Sequence, residues 1–143
     1  MLNNDRNTHI IIFWGPSEPK RSEIEALHQI MLTQMPSCKL WFLDGKSDLG
    51  KIVSNPSIGY GILIKEYADG KSRPFYQLGL SSNTAGISVY IMGISDKTYL
   101  AQTYGKKLGK ASISGYCIKF KKLTDINIEI LNEAIKYGYD QSN

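Results

Sequence analysis

Residues that build metal and redox sites are scarce in this chain: 143 residues hold two cysteines and two histidines. Cys38 and Cys117 stand alone, with no partner at CxxC spacing, so neither a zinc knuckle nor a thioredoxin-like pair is encoded. They read as two reduced thiols packed as small hydrophobes. One disulfide is the alternative, which only an oxidising compartment favours. Long apolar runs are also missing. Ile10 to Trp14 is the longest early one, far short of the ~18 residues that cross a bilayer and too short for a signal-peptide core. The chain therefore reads as cytoplasmic, with no membrane partner.

Catalytic motifs are absent too. Gly59-Tyr60-Gly61 runs on to Ile64 where a dinucleotide fingerprint needs glycine, and it lies in a strand pattern instead of opening a helix. In Gly105-Lys106-Lys107-Leu108-Gly109-Lys110-Ala111 the glycines are one residue too close for a phosphate loop, and Ala111 stands where the magnesium-holding Ser or Thr belongs. Ser88 lacks the glycine two residues on that completes a nucleophile elbow. His9 and His28 form neither a triad nor an HExxH pair, and His28, beside an apolar helical stripe, reads as a satisfied boundary residue. No catalytic residue is nominated, and the chain reads as a non-enzymatic binding domain.

What is present is an ordinary globular composition with an uneven charge. Hydrophobic residues make up 42% and charged residues 21%, and the length suits one domain. The net charge is +4, yet Lys97 to Lys122 contains seven lysines and no Asp or Glu, so the rest of the chain is net acidic. Such a local excess attracts an anionic small ligand or an acidic protein surface; the plain alternative is that these lysines solvate an exposed face and guard an edge strand. Tyrosines at 60, 67, 76, 90, 99, 104 and 116, together with Trp41, interleave with lysines in the manner of base-stacking surfaces. No ribonucleoprotein motif accompanies them, so they read first as packing and nucleic acid is the lesser partner. The candidate ligand-binding residues are Tyr104, Lys106, Lys107, Lys110 and Lys119. A monomer and a homodimer both stay open.

Residues 1–9 are polar and aperiodic and read as a tail, with 10–143 as one domain. Ile24, Leu27, Met31, Leu32 and Met35 form one helical stripe, ended by Pro36 and opened by Ser17 with Pro19 and by the capping-box pair Ser22 and Glu25. Short strands follow: Lys39 to Leu43, a possible piece at Lys51 to Val53, Ile58 to Tyr67, Phe75 to Ser81, and Ile87 to Ile94, which is apolar enough for a central position. Asp69-Gly70 marks a hairpin, and the last three long strands read as a meander. Asp96 starts a short helix to Tyr104, closed by Gly105 as a left-handed cap. From Ser114 to Lys122, Tyr116, Ile118 and Phe120 alternate with Cys117, Lys119 and Lys121, giving one core face and one wet face. A last helix starts at Asp125 or Asn127 and stops at Gly138. The order predicts a two-layer α+β fold, an antiparallel sheet of about five to six strands with helices on one face.

The run Tyr104 to Asn127, with its glycine-and-lysine turn, its strand and the Leu123-Thr124-Asp125-Ile126 step into the last helix, resembles the carboxy-terminal signature of the YdhG-like family of unknown function. The helix Ser22 to Met35 leading to Cys38-Lys39-Leu40-Trp41 is similar as well, so the resemblance spans Ser17 to Gly138. It implies a frataxin-like sandwich and, for some members, an intracellular iron chaperone. That role uses an acidic ridge, which here falls on Glu18, Glu23 and Glu25 with Asp44 and Asp48. No cofactor is implied apart from weakly bound iron.

Overall fold

The computed structural model describes residues 18–43, 49–51, 57–83 and 85–142. Ile10 to Trp14, Ser17, Asp44, Asp48 and the piece Ile52-Val53 lie outside the described residues. The chain runs through α1 (Lys20–Gln34), β1 (Leu40–Leu43), β2 (Ser57–Tyr60), β3 (Leu63–Glu66), β4 (Ser72–Phe75), β5 (Leu78–Asn83) and β6 (Gly86–Ile91). It continues through α2 (Tyr99–Tyr104), β7 (Ser112–Ser114), β8 (Cys117–Phe120), a single 3-10 turn (Leu123–Asp125) and α3 (Ile128–Ser142). Six strands form one antiparallel sheet in the order β1-β2-β5-β6-β8-β7, while β3 and β4 pair only with each other as a separate ribbon. Among the described residues, no helix is long and apolar enough to cross a membrane.

Strand alternation divides the sheet into two faces. Ile58, Tyr60, Leu78, Leu80, Ile87, Val89, Ile91, Ile118 and Phe120 are buried toward the helices. There they meet Ile24, Leu27 and Met31 of α1 and Leu131, Ala134 and Ile135 of α3. The α1 and α3 helices pack on each other and on β5, and α3 reaches β6. The α1 stripe is thus the one read from sequence, and β2, β5 and β6 lie side by side as the expected meander.

Several local expectations change. The helix opens without a capping box: Glu18, before its first turn, accepts the Ser22 backbone N–H and hydroxyl at 2.8 and 2.7 Å, and these bonds hold its carboxyl below the usual carboxylate range. The long hairpin arms break in two. Gly61, with φ +81°, turns the chain out of β2, a left-handed conformation that costs glycine nothing. Beyond that bend, β3 and β4 close around Asp69-Gly70 as their own ribbon. Gly105 has φ −54° and continues the helical turn, so it is no left-handed cap. Gly138 does not stop α3, which runs on to Ser142. A Cβ there would collide with Ile91 of β6, so this glycine lets the helix lie close on the sheet. Asn127 is the cap that starts α3, its Oδ1 accepting the Glu129 N–H at 3.0 Å.

On the face away from the helices, the register aligns Trp41, Gly59, Gly79, Tyr90, Cys117 and Ser114 in one row across the sheet. The two glycines leave a trough, and the Tyr76 ring lies in it: a Cβ on Gly59 would stand 2.6 Å from Tyr76 Cγ, and one on Gly79 2.6 Å from Cε1. Phe75 stacks on Tyr76 at 4.2 Å. Burial pushes the Tyr76 phenol up to about 12, with Tyr90 and Cys117 adding to the shift. In the helix-side core, His28 is 2% exposed, a full core residue instead of a boundary one. Its Nδ1 lies 2.6 Å from Tyr60 Oη. Desolvation lowers its pKa from 6.5 to about 4.

Two outcomes follow. Gly79→Ala forces the Tyr76 ring out of its trough and lowers stability by about 1–3 kcal/mol, as overpacking does; in urea denaturation the loss shrinks on a Tyr76→Ala background, whereas an equal loss on both backgrounds contradicts the trough. For His28, the unfolded chain takes up a proton near 6.5 and the folded one near 4, so the unfolded state binds more protons between these values. Stability then falls as pH drops, by about 2 kcal/mol from pH 7 to 5. Urea midpoints across that range show the slope, and His28→Gln flattens it.

Candidate functional site

The site begins with the same register rule. On β6, Ser88 and Tyr90 point away from the helices; on β8, Cys117 and Lys119 do, and Lys121 continues that face. Ser88 pairs with Lys119, and Lys119 with Ser112 of β7, so a hydroxyl, an ammonium and a hydroxyl stand in one row. Small residues at Gly86, Ser88, Ala111 and Ser112 stand among the longer Tyr90, Lys110, Lys119 and Lys121. The result is an open cavity of about 590 Å³, within the size range of ligand pockets.

Lys110 reaches this cavity from a different segment. Leu108 before it is fully buried, and Gly109 forms an isolated bridge with Ile126. The Lys110 N–H donates to Asp125 O at 2.9 Å, and the Asn127 N–H donates to Leu108 O at 2.7 Å. The turn is thereby fastened to the start of α3, which fixes the backbone from which the exposed Lys110 side chain extends. Three lysines face one carboxylate, Asp125, among the lining residues. The ion pairs found among the described residues, Arg73–Asp69 and Lys136–Asp140, engage none of those lysines. Burial pushes the Cys117 thiol up, against the opposing pull of Lys119 and the Ser88 hydroxyl, so this thiol is no activated nucleophile.

Of the residues nominated from sequence, the cavity brings together Lys110 and Lys119. Lys106 and Lys107 are exposed on the turn after α2 and do not line it. Tyr104 is buried in the core, edge-on to Tyr99 at 6.1 Å, and burial raises its phenol to about 12. Tyr60 and Tyr76 are buried as well, in keeping with the packing reading, whereas Trp41, Tyr67, Tyr90, Tyr99 and Tyr116 keep part of their surface exposed.

The acidic residues of α1 and of the turn before it do not gather. Glu18 is occupied by Ser22, and Glu23 accepts the Leu123 N–H through Oε2. Glu25, two residues further on, points about 200° away around the helix. Among the described residues, no three His, Cys, Asp or Glu side chains form a group able to hold a metal ion. Asp44 and Asp48 lie outside those residues.

Ser88, Tyr90, Ser112 and Lys121 were missed as site residues. The alternation of β8 already placed Lys119 and Lys121 on one face; what it left out is the pairing that sets Ser88 and Ser112 beside Lys119. A second depression, about 810 Å³ between the β3–β4 ribbon and the loop after β6, is lined chiefly by Ile62, Ile64, Met92, Ile94 and Tyr116. Among the described residues lining it, Glu66 is the one charged group. No family model matches the chain, and neither a curated protein nor a solved structure matches it.

Proposed function

We propose that this chain is a non-catalytic binding domain that holds a small anionic ligand, a phosphoryl compound in the first instance, on the open face of its sheet. The observation that carries this is the convergence of Lys110, Lys119 and Lys121 with the Ser88 and Ser112 hydroxyls in one cavity. Lysine ammonium groups recognise phosphate as point charges, and hydroxyls add directed hydrogen bonds to its oxygens. The sheet fixes the backbone under two of the lysines and the fastened turn fixes it under the third, so binding orders exposed lysine stems but no main chain. The order of a helix, an antiparallel sheet and a closing helix fits the two-layer α+β class, and a YdhG-like, frataxin-like identity within that class rests on the sequence resemblance alone. The placement of Glu18, Glu23 and Glu25 lends nothing to an iron-handling role.

The Coulomb attraction between an ammonium and a phosphate charge near the surface is ~1–4 kcal/mol before screening and side-chain ordering are subtracted, and a reversed charge turns it into repulsion. Reversing two charges, Lys110→Glu with Lys119→Glu, is therefore expected to weaken binding of inorganic phosphate at least ~tenfold. An amide-proton and nitrogen NMR titration checks this. Phosphate should move the Ser88, Ser112 and Lys119 signals, less so as salt rises and hardly at all in the double variant. Shifts centred on Lys106 and Lys107, or unchanged by the reversals, contradict the proposal.

A further inference from the structure

The cavity has two chemically different ends. Lys110, Lys119 and Lys121 with the two serines make one; Tyr90, half-buried and lining the same cavity, makes the other. Tyr90 and Ser88 are next neighbours on one face of β6, so their side chains leave the sheet about 7 Å apart. That interval matches a ribose placed between a 5′-phosphate and its base. An inorganic anion, or a sugar phosphate alone, would leave the tyrosine end unused.

Tyr90 is also better fixed than a surface tyrosine. Its partner on β5 is Gly79 and its partner on β8 is Cys117. The missing side chain at Gly79 is replaced by the Tyr76 ring, itself 6% exposed and stacked on Phe75. Tyr90 therefore stands opposite the glycine over which the Tyr76 ring lies, with Cys117 on its other side. Tyr90 is thus buttressed from the β5 side by a buried, stacked aromatic ring. A ring held this way has little side-chain entropy left to lose when a ligand stacks on it.

Resting on the anion-binding reading above, we infer that the ligand is a nucleoside monophosphate or a close chemical equivalent: a phosphoryl group on the lysine-and-serine end, joined through a short polar spacer to a flat ring against Tyr90. The lysines fix where the ligand sits; Tyr90 discriminates among phosphate-bearing molecules. Base–aromatic stacking is tolerant of base identity, so adenine and guanine monophosphates are not distinguished strongly.

The test is isothermal titration of the full chain with inorganic phosphate, ribose 5-phosphate and adenosine 5′-monophosphate, on the wild type, Tyr90→Phe and Tyr90→Leu. The nucleotide is expected to bind roughly tenfold tighter than ribose 5-phosphate. Tyr90→Phe keeps that advantage, because the ring remains. Tyr90→Leu removes it, so that the nucleotide and ribose 5-phosphate bind this variant alike, while its circular dichroism and urea midpoint show that it is folded. Equal affinities for the two phosphates on the wild type, or an advantage that survives Tyr90→Leu, overturn the ring inference while leaving the anion site standing. No binding of any of the three probes overturns both.

Discussion

A slip of one residue between β6 and β8 would turn Ile118 and Phe120 to water and drive Lys119 into the core. Everything on both faces depends on that slip being forbidden. The observed pairing, Val89 with Ile118 and Ser88 with Lys119, buries apolar side chains under α1 and α3 and leaves the polar ones together on the other side. Burying an unpaired ammonium costs far more than the sheet gains from any alternative pairing, so the core enforces the register and the register assembles the site. The lysine–serine row is in this sense a by-product of one-sided burial, available to be used because the helices cover only one face.

The uncovered face is filled in a different way. Where a second layer would otherwise be needed, the chain places glycines at 59 and 79 and lays the Tyr76 ring across them, so backbone and ring meet without intervening side chains. Gly61 makes this possible by bending the β2 arm away and sending β3 and β4 off as a ribbon, from which Tyr76 returns to the sheet. This half of the open face is closed, and the half over β6, β8 and β7 is left as a cavity. Stability and site therefore occupy adjoining parts of a single surface, joined where Tyr76 approaches Tyr90.

Much of the layered architecture was readable in the residues. The α1 stripe at Ile24, Leu27 and Met31, the alternation through Ile118 and Phe120, and the central place of β6 all follow from periodicity, because burial on one side repeats at the period of the element. What escaped depends on contacts between distant segments. Gly138 looks like a helix stop until Ile91 is seen against it. Gly105 looks like a cap until its φ is known, and the Ile58–Tyr67 run looks continuous although Gly61 breaks it. The same limit applies to the site. Lys110 and Lys119 stood out as basic residues, but Tyr104, equally prominent in the sequence, packs inward against Tyr99, and Ser88 and Ser112 gain meaning only from their pairing with Lys119.

The claim on which the functional account rests is that a tetrahedral anion binds between the turn at Lys110 and the β6–β8–β7 row. The direct measurement is an anomalous difference map from crystals of the full chain soaked in selenate, a tetrahedral dianion whose selenium can be located without reference to the protein. The account predicts a peak within hydrogen-bonding distance of the Lys110 and Lys119 ammonium groups and the Ser112 hydroxyl. A peak confined to Lys106 and Lys107, or none in a fully accessible cavity, would contradict it.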